Sequence, residues 1–127
     1  MTSKTFLEGN QSITPVEPDF VITDEETSLQ SAGFPFTVLH TPGHTAGSLS
    51  LIDKSVSRAY VGDTMFNIPV LSGRKYHPPF ADIPAAIAGS WKKLLNTGVS
   101  YFYPAHGKRI SRYRLESELK KLEGTES

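Results

Sequence analysis

Three side chains able to bind a metal ion lie in loops that follow predicted β-strands. His44 stands in a Thr-Pro-Gly-His-Thr turn, Asp63 directly follows a glycine, and His106 stands in a Pro-Ala-His-Gly turn. Imidazole nitrogen together with carboxylate oxygen is a donor set that suits zinc, and also iron or manganese. Because the chain has no cysteine, any metal site must use histidine and carboxylate ligands. These residue types predict a metal site, with zinc as the first candidate.

Each of these residues also has an ordinary structural interpretation. A Gly-Asp pair after a strand is usually only a turn. A histidine in a short Pro-Ala-His-Gly loop is often merely exposed. The Thr-Pro-Gly-His-Thr-Ala-Gly-Ser stretch is more specific, and the three motifs follow one another in order along the chain. The combination therefore favours a shared site over three unrelated turns.

The elements that must position these ligands are predicted from the alternation and spacing of apolar residues. The predicted strands cover residues 19–22, 34–39, 48–52, 58–61 and 99–103. The predicted helices cover residues 83–96, with Asp82 as candidate N-cap, and residues 111–122, with Ser111 as candidate N-cap. The strands 34–39, 48–52 and 58–61 are expected to form an antiparallel meander, so the order is strands, helix, strand, helix.

The motifs together resemble those of the metallo-β-lactamase superfamily. They are Thr41-Pro42-Gly43-His44-Thr45-Ala46-Gly47-Ser48, Gly62-Asp63 and Pro104-Ala105-His106-Gly107. By that resemblance His44 binds a first metal, Asp63 bridges two metals, and His106 binds the second. The family's site also needs an upstream H-x-H-x-D-H motif. The chain has four histidines, at positions 40, 44, 77 and 106, and no two of them form an H-x-H pair.

The resemblance spans roughly residues 19–122 and implies an α/β fold. The expected architecture is half of a metallo-β-lactamase αβ/βα sandwich, with one mixed, mainly antiparallel sheet and helices on one face. Residues 1–18 are predicted to be an extended lead-in, and residues 19–127 a metallo-β-lactamase-like C-terminal half-domain.

Four further residues are expected to support the ligands or to line a substrate cleft: His40, Thr45, Thr64 and His77. For His40 the ordinary alternative is a histidine at a strand end, and for His77 it is a plain loop residue. The segment Gly62-Asp63-Thr64-Met65-Phe66 resembles the glyoxalase II branch, which cleaves thioesters of glutathione. The following Asn67-Ile68-Pro69-Val70 lacks that branch's glycine-rich continuation, so no thioester substrate is assigned.

Two hypotheses from different classes follow. In the first, the chain is the C-terminal portion of a metal-dependent hydrolase, with metal-bound water in place of a catalytic side chain and a small-molecule substrate of unspecified class. That portion would be inactive or weakly active without the N-terminal half. In the second, it is a stand-alone non-catalytic module, homodimeric or partner-binding, with a vestigial metal site. In both, a partner covers an apolar sheet face, whose candidate residues are Phe34, Phe36, Leu49, Leu51, Tyr101 and Tyr103.

Composition narrows the remaining possibilities. Hydrophobic residues make up 38% of the 127, which is enough for a packed core. The 13 basic and 13 acidic residues cancel, and this argues against nucleic acid or a membrane surface as partner, since both require a basic field. No apolar run approaches the roughly 20 residues that span a bilayer. The apolar pair near the amino terminus is too short for a signal peptide, so a cytoplasmic location is expected.

Overall fold

A computed structural model describes residues 14–19, 21–68 and 75–126 of the chain. The strands are β1 Glu26–Ser28, β2 Thr37–His40, β3 Leu49–Asp53, β4 Arg58–Gly62, β5 Tyr101–Pro104 and β6 Ile110–Ser111. The α-helices are α1 Ile87–Asn96 and α2 Arg112–Glu126, and single turns of 3₁₀-helix cover Gln30–Ala32 and Pro84–Ala86. Most of the predicted lead-in lies outside the described residues, and its residues 14–18 belong to no helix or strand.

All six strands belong to one sheet, in which the spatial order follows the chain order from β1 to β6. Every neighbouring pair is antiparallel except β4 and β5, which run parallel and are connected through α1. A parallel pair requires such a crossover, because the chain must return to the starting edge before the second strand begins. The predicted fold class, a mixed and mainly antiparallel sheet with helices on one face, is confirmed.

One face of the sheet carries the hydrophobic core. Ile52, Ala59 and Phe102 are cross-strand partners on β3, β4 and β5, and none is more than 2% exposed. Helix α1 covers them with Trp91 and its apolar neighbours, and α2 adds a leucine stripe. The stripe consists of Leu115, Leu119 and Leu122. Because both helices bury their apolar stripes in the same cluster, both lie on this face.

The opposite face, called the open face below, has no helix over it among the described residues. Leu51, Tyr60 and Tyr103 are cross-strand partners here, and Tyr60 remains 37% exposed. Phe36 meets Tyr60 edge to face, with ring centroids 6.3 Å apart. The predicted apolar layer is therefore present on this face at Phe36 and Tyr103, and also at Leu49, Leu51 and Tyr101. Phe34 lies before β2, outside the strand ladder, and is half-exposed.

Two arginines border the open face. The Arg58 guanidinium lies 5.5 Å from the ring centroid of Tyr103, and that of Arg109 lies 4.0 Å from the centroid of Tyr101. A side-chain hydrogen bond with Tyr103, followed by the charge interaction with Tyr101, raises the pKa of Arg109 above its ordinary value. Two positive charges therefore lie at the border of the open face.

The ends of the elements differ from the sequence prediction in several places. The predicted edge strand at 19–22 is wrong, because the described residues there are not in a strand, and β1 lies at Glu26–Ser28 instead. β1 is the edge strand with only β2 as neighbour, so it is held by backbone bonds and needs few apolar side chains. Ser111 is confirmed as a helix cap, since its Oγ accepts from the Arg114 N–H at 3.1 Å. Asp82 is not a cap, because a 3₁₀ turn precedes α1.

No helix within the described ranges is long and apolar enough to cross a membrane.

Candidate metal centre

The three predicted ligands all follow strands that run in one direction. β2 is antiparallel to β3, and β3 is antiparallel to β4, so β2 and β4 share a direction; β5 is parallel to β4. The carboxyl ends of these three strands therefore reach the same edge of the sheet. His44 follows β2, Asp63 follows β4 and His106 follows β5. Because these strands end at the same edge, the three residues come together there.

The loop that carries His44 is held against the start of α1. The Ser90 hydroxyl donates to Pro42 O at 2.6 Å, and the Ile83 N–H donates to Gly43 O at 2.9 Å. A Cβ at Gly43 would lie 2.3 Å from Cδ1 of the fully buried Ile87, and its φ is +144°. Glycine is therefore required here by the close approach of loop and helix.

A buried polar network joins the His44 loop to the Asp63 loop. The Thr41 hydroxyl lies 2.8 Å from the Ser50 hydroxyl and 3.3 Å from that of Thr64, and all three side chains are fully buried. The indole N–H of Trp91 donates to Thr64 O at 2.9 Å. Since every buried polar atom here has a partner, the network fixes the two loops relative to each other.

The His106 loop is tied to the segment that follows Asp63. The Ala105 N–H donates to Gly62 O at 2.9 Å, and the Asn67 N–H donates to His106 O at 3.0 Å. The His106 ring stacks on Phe66, with centroids 4.8 Å apart and planes within 6°. Backbone and ring contacts together determine the position and the plane of this imidazole.

The Asp63 carboxylate lies between the two histidines. Its Oδ1 is 2.9 Å from His106 Nδ1, and its Oδ2 is 3.4 Å from His44 Nε2. Two ligands of one zinc ion, each bonded at about 2.0–2.2 Å, stand roughly 3 Å apart, which is close to both separations. His44 and Asp63 are each 29% exposed, and His106 is 55% exposed. The group is therefore open to solvent at the sheet edge.

The hydrogen bond on the far side of His44 determines which nitrogen faces the carboxylate as an acceptor. His44 Nδ1 lies 2.7 Å from Phe80 O, which can only accept, so Nδ1 carries the hydrogen. In the neutral ring, Nε2 then directs a lone pair at a carboxylate oxygen. Two acceptors facing each other fit a cation between them, and a carbonyl behind the ring is the usual support of a metal-bound histidine.

The donor set fits part of a metal site. Among residues 14–19, 21–68 and 75–126, no three His, Cys, Asp or Glu side chains are arranged to hold a single ion. Instead, Asp63 forms two pairs, one with each histidine. Each pair offers fewer than the three protein ligands usual at catalytic zinc. The structure brings the three residues together, and their role as metal ligands stays a prediction.

The four supporting residues of the sequence prediction lie in different surroundings. Thr64 belongs to the buried network described above, and Thr45 bonds Ser48 within its own loop, at 2.8 Å between hydroxyls. His40 contacts the His44 loop through Ala46 O. His77 lies beside Trp91, with ring centroids 6.3 Å apart, and its Nδ1 is 2.8 Å from Pro78 O. These contacts of His77 do not involve the three candidate ligands.

Three contributors to the site were not identified from the sequence. They are the Phe80 carbonyl behind His44, the Phe66 ring beneath His106, and the Ser90 hydroxyl that holds the His44 loop. The contact made by a backbone carbonyl cannot be predicted from residue types. Ser90 is indistinguishable in the sequence from an ordinary polar residue of a helix. Phe66 stands in the quoted segment after Asp63, but its stacking depends on the return of β5.

The fold agrees with the comparisons to known proteins. The family model of the metallo-beta-lactamase superfamily matches residues 3–106. The chain therefore belongs to the metallo-β-lactamase superfamily, as its motifs predict.

Individual proteins are similar to this chain over different shares of its length. The hydroxyacylglutathione hydrolase GloC of Haemophilus influenzae is 36% identical over 58 residues, which are 46% of this chain and 27% of that protein. TTHA1623, solved in a di-iron-bound form, is 28% identical with a TM-score of 0.58, over 91% of this chain and 53% of its own. The metallo-β-lactamase FIM-1 of Pseudomonas aeruginosa, solved in a mono-zinc form, has a TM-score of 0.64 at 20% identity, over 98% of this chain and 54% of its own. The chain thus spans about half the length of these solved relatives.

Proposed function

We propose that this chain supplies the C-terminal portion of a metal-dependent hydrolase, with His44, Asp63 and His106 as its contribution to a binuclear centre. One observation carries the proposal: the two oxygens of the Asp63 carboxylate face two different histidines, as a bridging ligand must. Zinc is the first candidate, and iron or manganese would accept the same donors. The metals named for two solved relatives, iron and zinc, support this range.

Different residues of the chain would bind the metals and orient the ligands. The two oxygens of Asp63 would each face a separate metal position. The Phe80 carbonyl would keep the Nε2 lone pair of His44 directed at the position beside Oδ2. Phe66 holds the plane of His106 beside the other oxygen. Metal ions bound at such a centre lower the pKa of a bound water to about 7 and polarise the scissile group of the substrate. No side-chain nucleophile is then needed.

This chain has too few ligands for a complete binuclear centre, so the proposal includes a complementing half. Each histidine shares Asp63, so this chain offers two donors at each position, below the three usual at catalytic zinc. We therefore expect the chain alone to bind metal weakly and to hydrolyse nothing appreciably. The remaining donors would come from a complementing N-terminal half that packs on the open face.

For substrate class we propose an acyl thioester, of which a hydroxyacylglutathione is the first to test. The proposal is supported by the similarity to GloC and by the sequence of residues 62–66, which begin at the last residue of β4. The segment that follows, residues 67–70, lacks the glycine-rich continuation expected of the glyoxalase II branch. Esters, lactams and phosphodiesters are therefore the comparison substrates.

The activity prediction is tested by assaying the purified chain with zinc against a hydroxyacylglutathione and the comparison substrates. We expect rates no higher than those of free zinc at equal concentration, because no complete centre forms from two donors per position. Asp63→Asn is the matched control, since it keeps the shape and removes the bridging charge. Turnover well above free zinc that disappears in Asp63→Asn would show that the chain needs no complementing half.

A second candidate function is favoured by the open face. Its row of partly exposed aromatic side chains fits a module that works by association, with the metal residues retained as structural turns. This candidate predicts no zinc uptake dependent on His44. The zinc titration described in the Discussion therefore separates the two functions.

A further inference from the structure

We propose that His40 is a positioning residue that holds the exposed limb of the His44 loop in place for metal binding. The inference rests on the proposed function, because it concerns the loop that presents His44. It is carried by the contacts of one imidazole ring that lies outside the group of candidate ligands. Its two nitrogens face acceptors from two different segments of the chain.

The decisive contact is with the backbone of the loop. His40 Nε2 lies 2.7 Å from Ala46 O, and since a carbonyl oxygen only accepts, Nε2 carries the hydrogen and donates. His40 is the last residue of β2, and Ala46 lies two residues beyond His44. The bond therefore clamps the loop to the end of the strand from which it emerges.

The ring of His40 is itself held from outside the loop. Its Nδ1 lies 3.4 Å from the Glu25 carboxylate, a contact that holds the ring only when Nδ1 also carries hydrogen. The second oxygen of Glu25 accepts from the Lys93 ammonium of α1. The same ammonium donates to His40 O at 3.1 Å, and the His40 N–H donates to Glu25 O at 2.8 Å. Both backbone groups of His40 are thus tied, one to the segment before β1 and one to α1.

The two limbs of the loop depend on different supports. The first limb, Pro42 to His44, is held by Ser90 and by two backbone N–H groups before α1. The second limb contains the exposed Ala46 and Gly47. Within the described residues, side-chain hydrogen bonds reach this limb from Ser48, inside the loop, and from His40, outside it. Backbone bonds from Gly43 and Thr41 hold Thr45 and Ser48, at the two ends of this limb. Loss of His40 would therefore free Ala46 and Gly47 while the rest of the loop stays anchored.

The test uses two substitutions of His40 in the otherwise unchanged chain. His40→Leu removes the donor, whereas His40→Gln places an amide N–H at about the same reach toward Ala46 O. The measurements are the zinc dissociation constant by calorimetry and, without metal, the backbone ¹⁵N order parameters of Ala46 and Gly47. Ile52 and Ala59, in the strand ladder, report whether the fold is intact.

We expect His40→Leu to weaken zinc binding by about tenfold, no more than the loss of a residue that hydrogen-bonds a metal ligand directly, because His40 acts through the loop. The order parameters at Ala46 and Gly47 should fall from about 0.85 toward 0.6, and His40→Gln should restore both measurements. Unchanged order in His40→Leu would overturn the proposal, as would a His40→Gln variant no better than leucine. If the wild-type chain takes up no zinc, the proposed function fails, and the order parameters still decide the role of His40.

Discussion

In the proposed metal site, Asp63 is the residue on which the chemistry would depend. It directly follows β4, and its two oxygens stand 2.9 Å from one histidine and 3.4 Å from another. A carboxylate that faces two imidazoles can act as a bridge between two cations, and neither histidine alone can do so. Removal of Asp63 would therefore disconnect the two candidate metal positions, whereas removal of one histidine would affect mainly one.

His44→Ala is expected to lower zinc uptake by the isolated chain at least tenfold in titration calorimetry. The substitution removes the nitrogen that faces Asp63 Oδ2, together with the ring held by Phe80 O. His77→Gln is the matched control, because the contacts of His77 are with Pro78 and Trp91. Equal zinc uptake by the wild type and His44→Ala would remove His44 from the site and favour the association module.

At the scale of elements, the candidate site depends on how closely the His44 loop packs on α1. The loop and the helix meet at Gly43, where even one extra carbon would overlap the side chain of Ile87. Ile87 is fully buried in the core, so it has little room to withdraw. The position of His44 is thus coupled to the packing of α1 on the sheet.

Gly43→Ala is expected to destabilise the chain by about 1–3 kcal/mol, because the new methyl group overpacks the core beside Ile87. The measurement is the urea concentration at the midpoint of unfolding, followed by circular dichroism. Gly47→Ala, in the same loop, is the control: its Cβ would meet nothing within 4 Å. If both substitutions shifted the midpoint equally, close packing of loop and helix would not be the cause.

At the scale of the whole molecule, the two faces of the sheet differ in how far they are covered. One face is covered by both helices, while the other presents Tyr60 and its aromatic neighbours to solvent in the described part of the chain. Exposed apolar patches larger than a few hundred Å² usually mark an interface. A two-fold symmetric pair of identical chains is the commonest way to cover such a face. In the absence of a complementing half, we therefore propose that two copies pack open face to open face.

Light scattering at micromolar concentration is expected to give twice the chain's mass of 13.9 kDa. Tyr60→Lys should shift the mass to that of the monomer, because Arg58 already lies beside this position and a further positive charge would be buried unpaired. Tyr113→Lys is the control, since Tyr113 is 85% exposed on α2 and lies outside the open face. A wild-type chain that scatters as a stable monomer would refute the pairing.

Local patterns in the sequence were sufficient for the family and for most elements. The Thr-Pro-Gly-His-Thr turn, Gly62-Asp63 and the Pro-Ala-His-Gly turn identify the metallo-β-lactamase superfamily because each combines turn residues with a ligand type at a fixed place. The alternation in 48–52 and 58–61 predicted β3 and β4 closely, and helical spacing predicted α1. These signals are local, so the sequence alone contains them.

Only the tertiary structure decided how the three candidate ligands meet. β1 is stabilised by backbone bonds to β2 and not by its own apolar pattern, so its place could not be read from Glu26–Ser28. The pairing of Asp63 with both histidines depends on the parallel return of β5 beside β4, which no local pattern encodes. The Phe80 carbonyl behind His44 and the Phe66 ring beneath His106 likewise come from the folding of distant segments onto each other. Sequence determines which side chains are available, and the long-range contacts determine which atoms face one another.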